Sequence, residues 1–200
     1  MGTILVTGFE PFGGETVNAS WEAARRLEGW SSAGHVAVAL MLPCVYDASV
    51  EAFVEAFERL RPEAALMTGQ AARRGVVCVE RLARNVASAS TPDNRGVARG
   101  AAPLDPGPER LEATAPVGKI ARAIRGAGVP ARVSSNAGDF VCNHLYYGAL
   151  KYLRSASPGT PAAFLHLPAA PEQTPLRANR RRLSTADAAR ALKAAAGALF

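Results

Sequence analysis

Between Val36 and Thr68 the hydrophobic period changes twice, and few folds accommodate that. Val36 to Leu42 alternates and stops at Pro43. Ala48 to Leu60 carries Val50, Phe53, Val54, Phe57 and Leu60 on one helical face before Pro62, and Ala64 to Thr68 is wholly apolar up to Gly69-Gln70. A period of two predicts a strand and a period near 3.6 an amphipathic helix, so the segment reads as strand, helix, strand. The same alternation runs through the rest of the chain. Gly2 to Thr7 is a β-rich run that opens into the loop Gly8-Phe9-Glu10-Pro11-Phe12-Gly13-Gly14, and a helix follows, capped by Asn18 or Ser20, through Trp21, Ala24 and Leu27. Val76 to Val86 contains one further β-like run, which carries Glu80, Ser88 to Pro108 is a Pro-, Gly- and Asp-rich loop of functional or subunit-contact type, and a helix after Pro116 ends at Gly126 and Gly128. Ala131 to Ser134 and Pro161 to Leu167 read as strands, and a last helix starts near Ser184. This order predicts a single-domain α/β fold, a three-layer α/β/α sandwich with a mostly parallel sheet, and in such sheets ligands gather at the carboxyl ends of strands.

Composition narrows the function. The chain has 200 residues, 48% hydrophobic and 20% charged, enough for one core and one concave site. Its apolar runs are short and broken by charge, Gly or Pro, so neither a membrane span nor a signal peptide is expected, which reads as cytoplasmic. A net charge of +6 raises the question of nucleic acid, but the arginines are scattered, and the densest run, Arg180-Arg181-Arg182, has no interleaved aromatics. No nucleic-acid or membrane partner is expected. Cys44, Cys78 and Cys142 are an odd set without C-x-x-C spacing, which argues against a disulfide framework and a cysteine-based zinc site.

The chemistry concentrates in Ser134 to Tyr147. Small and turn-forming residues lead through Gly138 into a helical pattern of Val141, Leu145, Leu150 and Leu153, which sets Cys142 near a helix N-terminus. Free N–H groups and the helix dipole there favour a thiolate and can receive an oxyanion. A buried structural cysteine is the competing reading. A thiol nucleophile needs a base, and the base needs an orienting group. Of the three histidines, His35 falls in a Ser/Gly-rich connection and is expected on the surface. His144 is two positions from Cys142 on the same helix, where side chains do not face each other, and His166, at the end of a strand, is the best base candidate, with a satisfied structural histidine as the competing reading. Glu80 interrupts the apolar run Val76 to Leu82, so its carboxylate needs a partner: a base to orient, or simply Arg81 or Arg84 on an edge strand. The loop after the first strand lacks the second glycine of G-x-G-x-x-G, and no G-K-[ST] occurs. Phe9 and Phe12 flank Glu10-Pro11 instead, either as walls around a small flat apolar group or as core anchors.

Taken together, these residues resemble the pyroglutamyl-peptidase I (pyrrolidone carboxyl peptidase) family of cysteine peptidases. Four blocks carry the resemblance: Val6 to Gly14 with Asn18; Gly69-Gln70-Ala71 through Val79-Glu80-Arg81, Asn85 and Pro92-Asp93-Asn94; Ser135 to Gly138 through Val141-Cys142-Asn143; and His166-Leu167-Pro168 with Pro171-Glu172-Gln173. The resemblance implies Cys142 as nucleophile, His166 as general base and acid, Glu80 as orienting carboxylate, and Phe9, Phe12, Gln70 and Val141 around a lactam ring. It implies peptides with N-terminal pyroglutamate as substrates, no metal or cofactor, and a homo-oligomer, tetramer or dimer. Ser90-Thr91 stand where the family commonly has Arg-Ile, and Cys44 where relatives often show Thr or Val. The first departure keeps a second reading open, a non-catalytic protein that binds lactam or pyroglutamyl ligands. The α/β/α layout alone would also suit a nucleoside- or phosphate-handling enzyme.

Overall fold

A computed structural model describes residues 1–171, 173 and 182–200. Arg180, Arg181 and Glu172 lie outside the described residues. Among the described residues the main sheet has seven strands: β1 Gly2–Phe9, β2 Ser31–Ser32, β3 His35–Leu42, β4 Ala64–Gln70, β5 Val77–Glu80, β8 Ala131–Ser134 and β9 Ala162–Leu167. Their order is β2-β3-β1-β4-β9-β5-β8. β3, β1, β4 and β9 run parallel, β5 is antiparallel to β9, and β8 pairs parallel with β5. β6 Leu82–Arg84 and β7 Arg110–Glu112 form a separate two-stranded sheet.

Alternation along the strands divides the core in two. Ile4 and Val6 of β1 and Leu165 of β9 join one cluster under the helices α1 Ala19–Ala24, α3 Val117–Gly126 and α5 Thr185–Ala196, while Leu5, Met67 and Phe164 face the other, under α2 Ala48–Leu60 and α4 Val141–Ala156. Helices on both faces of the sheet make the expected three-layer α/β/α sandwich. Among the described residues no helix is long and apolar enough to cross a membrane.

Helix α2 spans the segment its period predicts. It ends at Arg61, in the left-handed region at φ 44°, whose N–H still reaches Phe57 O before Pro62 removes the next donor. At α1, Asn18 caps the helix by accepting from Ser20 N, and Ser20 Oγ accepts from Phe9 N, which ties the loop after β1 to that helix. A Cβ on Gly8 would stand 2.6 Å from Trp21 Cα, so only glycine lets α1 lie this close to β1.

One sequence expectation gains detail and one needs revision. The β-like run within Val76 to Val86 is β5, which carries Glu80 and ends there: Arg81 N–H donates to Ser134 O and its carbonyl accepts from Ala113 N, so the chain leaves the main sheet at that point and β6 pairs with β7 instead. β7 itself carries one apolar residue, Leu111, too little to show a period. His35 is not in a loop but begins β3, where its ring stacks on Phe200 (centroids 4.3 Å apart) and its Nε2 lies 2.8 Å from Glu63 Oε2.

Candidate active site

The carboxyl ends of β4 and β9 meet the N-terminus of α4, and a cavity of about 350 Å³ opens there, lined by Gln70, Arg74, Phe140, Cys142 and His166 among others. How each side chain reaches it follows from the local chain. Gly138 adopts φ 81° and donates its N–H to Asn136 Oδ1, closing a turn that reverses the chain after β8. Phe140 then caps α4 without a side-chain bond, and Cys142 is the second helical residue, in the turn whose N–H groups have no partner inside the helix. Asn143, wholly buried, locks this start against β6: it accepts from Arg84 N at 2.9 Å and donates to Arg84 O at 2.8 Å and Val86 O at 2.9 Å.

His166 is the fifth residue of β9, in register with Gly69 of β4 and Cys78 of β5. Gly69 brings sulphur and sheet together, since a Cβ there would stand 2.6 Å from Cys142 Sγ. Cys142 and His166 thus line one cavity over adjacent points of the sheet. No hydrogen bond joins them among the described residues. His166 Nδ1 lies 2.8 Å from Glu80 Oε1, which leaves Nε2 as the nitrogen free of that contact. Glu80 has no exposed surface and lies on β5 between β9 and β8, not on an edge, and Tyr146 Oη of α4 donates to its carbonyl at 3.1 Å. Its ion-pair partner is neither Arg81 nor Arg84 but Arg74, at 2.6 Å.

The electrostatics favour a neutral thiol beside a neutral imidazole. Burial, then the Glu80 charge, pushes the Cys142 thiol up to about 12, against the pull of Arg74 and of the cysteine's own N–H. Burial also lowers His166 below the usual histidine range, with Arg74 adding to it, although the contact with Glu80 works the other way.

A second cavity of about 420 Å³ adjoins the first through Arg73, Asp139 and Phe140, and adds Phe12 and Ser88 to Thr91. The rings of Phe12 and Phe140 lie with centroids 6.0 Å apart, tilted by 40° to each other. Phe9, 2% exposed, and Val141, fully buried, belong to the same apolar cluster behind them. Gln70 lines the first cavity while its Oε1 accepts from Ala19 N at 2.9 Å. Glu10 and the Pro92-Asp93-Asn94 block are tied into neighbouring loops: Glu10 Oε1 accepts from Cys44 N and Asn94 Nδ2, and Asp93 accepts from the N–H groups of Tyr46, Arg95 and Val97. His144 points away, its Nε2 3.0 Å from Asp47 Oδ1. Among the described residues no group of three or more His, Cys, Asp or Glu could hold a metal ion.

The sequence matches the profile described as pyroglutamyl peptidase over residues 2–200. The chain belongs to the pyroglutamyl peptidase family. It is 44% identical over 172 residues to pyrrolidone-carboxylate peptidase 2 of Photorhabdus laumondii, covering 86% of this chain and 79% of that one. It is 46% identical over 178 residues to the pyrrolidone-carboxylate peptidase of Chromobacterium violaceum, covering 86% and 80%. Among solved structures it resembles pyroglutamyl peptidase I of Bacillus amyloliquefaciens (TM-score 0.95, 36% identity, 100% of this chain and 97% of that chain). A mutant pyrrolidone carboxyl peptidase of Pyrococcus furiosus is also similar (TM-score 0.93, 30% identity, 98% and 97%). For this pyroglutamyl-peptidase family member, Arg74, Phe140, Arg73 and Asp139 are cavity residues that the sequence reading did not single out. The only available signal was the Arg-Arg pair between the end of β4 and Glu80.

Proposed function

We propose that this peptidase removes the N-terminal pyroglutamyl residue from peptides, with Cys142 as nucleophile, His166 as general base and acid, and Glu80 as the carboxylate that orients His166. The observation that carries this is a single cavity walled by Cys142 and His166, with Glu80 bonded to the far side of the imidazole. The pyroglutamyl ring is neutral and flat, so its receptor should be apolar with few polar groups. Phe12 and Phe140 supply the faces, Phe9 and Val141 the wall behind them, and Gln70 a polar edge.

Because thiol and imidazole rest neutral, proton transfer accompanies attack. His166 Nε2 takes the proton of Cys142, and the sulphur bonds to the pyroglutamyl carbonyl carbon. The oxygen turns toward the free N–H groups of the first turn of α4, and Nδ1–H stays on Glu80 Oε1. The imidazolium then protonates the departing nitrogen as the C–N bond breaks, leaving a thioester. Water, deprotonated by His166, hydrolyses it to pyroglutamic acid and restores the thiol. No step calls for a metal or cofactor. The same reading takes the enzyme as a cytoplasmic homo-oligomer, tetramer or dimer, for which the resemblance is the support.

The test is release of a fluorophore from a pyroglutamyl-coumarin amide. Activity should require a reducing agent and vanish with iodoacetamide and in Cys142→Ser. Equal turnover by wild type and Cys142→Ser would remove Cys142 from its role.

A further inference from the structure

Arg73 and Arg74 follow each other in the segment between β4 and β5, and they differ. Arg73 is exposed, whereas Arg74 turns inward with 18% of its side chain accessible and lines the cavity with Cys142 and His166. Its guanidinium divides between two elements that matter to the chemistry. Nη1 donates to Glu80 Oε1 at 2.6 Å and to Ser134 Oγ at 3.2 Å, and Nη2 donates to the carbonyl of Asn136, in the turn that leads to Cys142. The Glu80 oxygen it holds is the one that meets His166 Nδ1, while Oε2 is buried without a hydrogen-bond partner among the described residues. A carboxylate so placed is gripped through one oxygen by two donors, and its orientation depends on both. A buried negative charge with one partner removed is costly, so Arg74 also compensates the charge that faces His166.

We propose that Arg74 is a positioning residue for the reaction: one planar guanidinium sets the Glu80 carboxylate against His166 and fixes the Asn136 turn from which Cys142 is presented. The role rests on the triad reading above. Arg84 holds the same turn as well, with Nη2 donating to Asn136 Oδ1 and Gly138 O, so two guanidinium groups bind it. The fork is what suits this task, because a planar group with several fixed donors can serve a carboxylate and a carbonyl at once, and an ammonium cannot hold both in one geometry. The charged or titratable groups facing His166 are Glu80 on β5, Arg74 before it, Cys142 on α4, Cys78 across the strand pair, and Arg73 and Asp139 at the cavity lining. Of the two arginines, only Arg74 is paired into this set.

The experiment compares wild type, Arg74→Gln and Arg74→Lys by kcat, KM, thermal midpoint and the pH dependence of both turnover and Cys142 alkylation by iodoacetamide. Misplacement of base and nucleophile should lower kcat by about tenfold or more in Arg74→Gln, with KM changed by less than about threefold. Loss of the positive charge should move the acid limb of turnover and the alkylation profile toward higher pH, since that charge disfavours both the imidazolium and the protonated thiol. Arg74→Lys should keep the limb near its wild-type place and still lose kcat. A lower thermal midpoint with kcat per folded site and both profiles unchanged would make Arg74 merely structural, and a KM rise at constant kcat would make it a substrate contact; either overturns the proposal. If the wild type hydrolyses no pyroglutamyl substrate, the functional reading has failed. The alkylation profile then decides alone: a shift in Arg74→Gln supports the positioning role, and an unmoved profile refutes it.

Discussion

Gly69→Ala offers a quantitative test of where the nucleophile sits. Gly69 has no left-handed backbone angle, so alanine brings no backbone strain and the effect is purely steric. The added Cβ would stand 2.6 Å from Cys142 Sγ, 2.9 Å from Phe164 Cζ and 3.2 Å from Phe164 Cε1. Ordinary contact starts at 3.4 Å, so full relief of the clash needs sulphur and Cβ to separate by the difference, 3.4 − 2.6 = 0.8 Å. The sulphur has little room: Phe164 is itself wedged against Tyr146 and His166, with centroids 5.4 and 4.9 Å away. Overpacking of this kind costs about 1–3 kcal/mol, which for a chain of this size lowers the thermal midpoint by roughly 2–4 °C per kcal/mol. The effect on chemistry should be larger, because a misplacement near 1 Å can cost about 10²-fold in rate. The assay is pyroglutamyl-coumarin turnover alongside the rate of Cys142 alkylation. A Gly69→Ala protein with wild-type kcat would refute the placement of Cys142 Sγ over Gly69, and with it the geometry of the site.

Further outcomes follow from the same structure. Glu80→Gln should reduce kcat by about 10²-fold or more by disturbing the imidazole's tautomer and orientation, and unchanged kcat in a steady-state assay would detach Glu80 from His166. Turnover should retain its basic imidazole to pH values below the usual histidine range, because burial lowers His166; an acid limb above pH 6.5 would contradict this. For stability the sign is the reverse of a salt-bridged histidine. His166 and His144 both resist protonation in the native state, so the unfolded chain gains protons first as pH falls through about 6.5, and the thermal midpoint should drop from pH 7 to pH 5. A midpoint that rises over that interval would contradict it. Brief iodoacetamide treatment should label Cys142 alone, since Cys44 is 3% exposed with its thiol pushed well above the ordinary range by burial and by Cys142, and Cys78 has no exposed surface. Peptide mapping that finds Cys44 labelled at a comparable rate would reverse that order.

Much of this site was legible before any coordinates. The switch from a glycine turn to a helical period placed Cys142 at a helix start, because helix entry has a local chemistry of its own, and a carboxylate inside an apolar run signalled that Glu80 has a buried partner. Four motif blocks on one chain supplied the roles, and the family assignment bears out the recognition and the fold. What stayed hidden depends on tertiary placement. Arg74 looks like Arg73 in one dimension; only the return of β8 beside β5 turns one inward and leaves the other exposed. The division at Arg81 arises from hydrogen bonds to Ser134 and Ala113, far away in sequence, and β-propensity shows no break there. Phe140 joins Phe12 because the turn at Gly138 carries it across the cavity, a pairing that no periodicity encodes.

The most direct test is to catch the covalent step. Rapidly quenched reaction of the enzyme with a pyroglutamyl-coumarin amide, followed by peptide mass mapping, should find one pyroglutamyl acyl group, and it should sit on Cys142 as a thioester that hydroxylamine removes. Multiple turnovers with no acyl group on Cys142 at any quench time, together with full activity after iodoacetamide, would contradict the account.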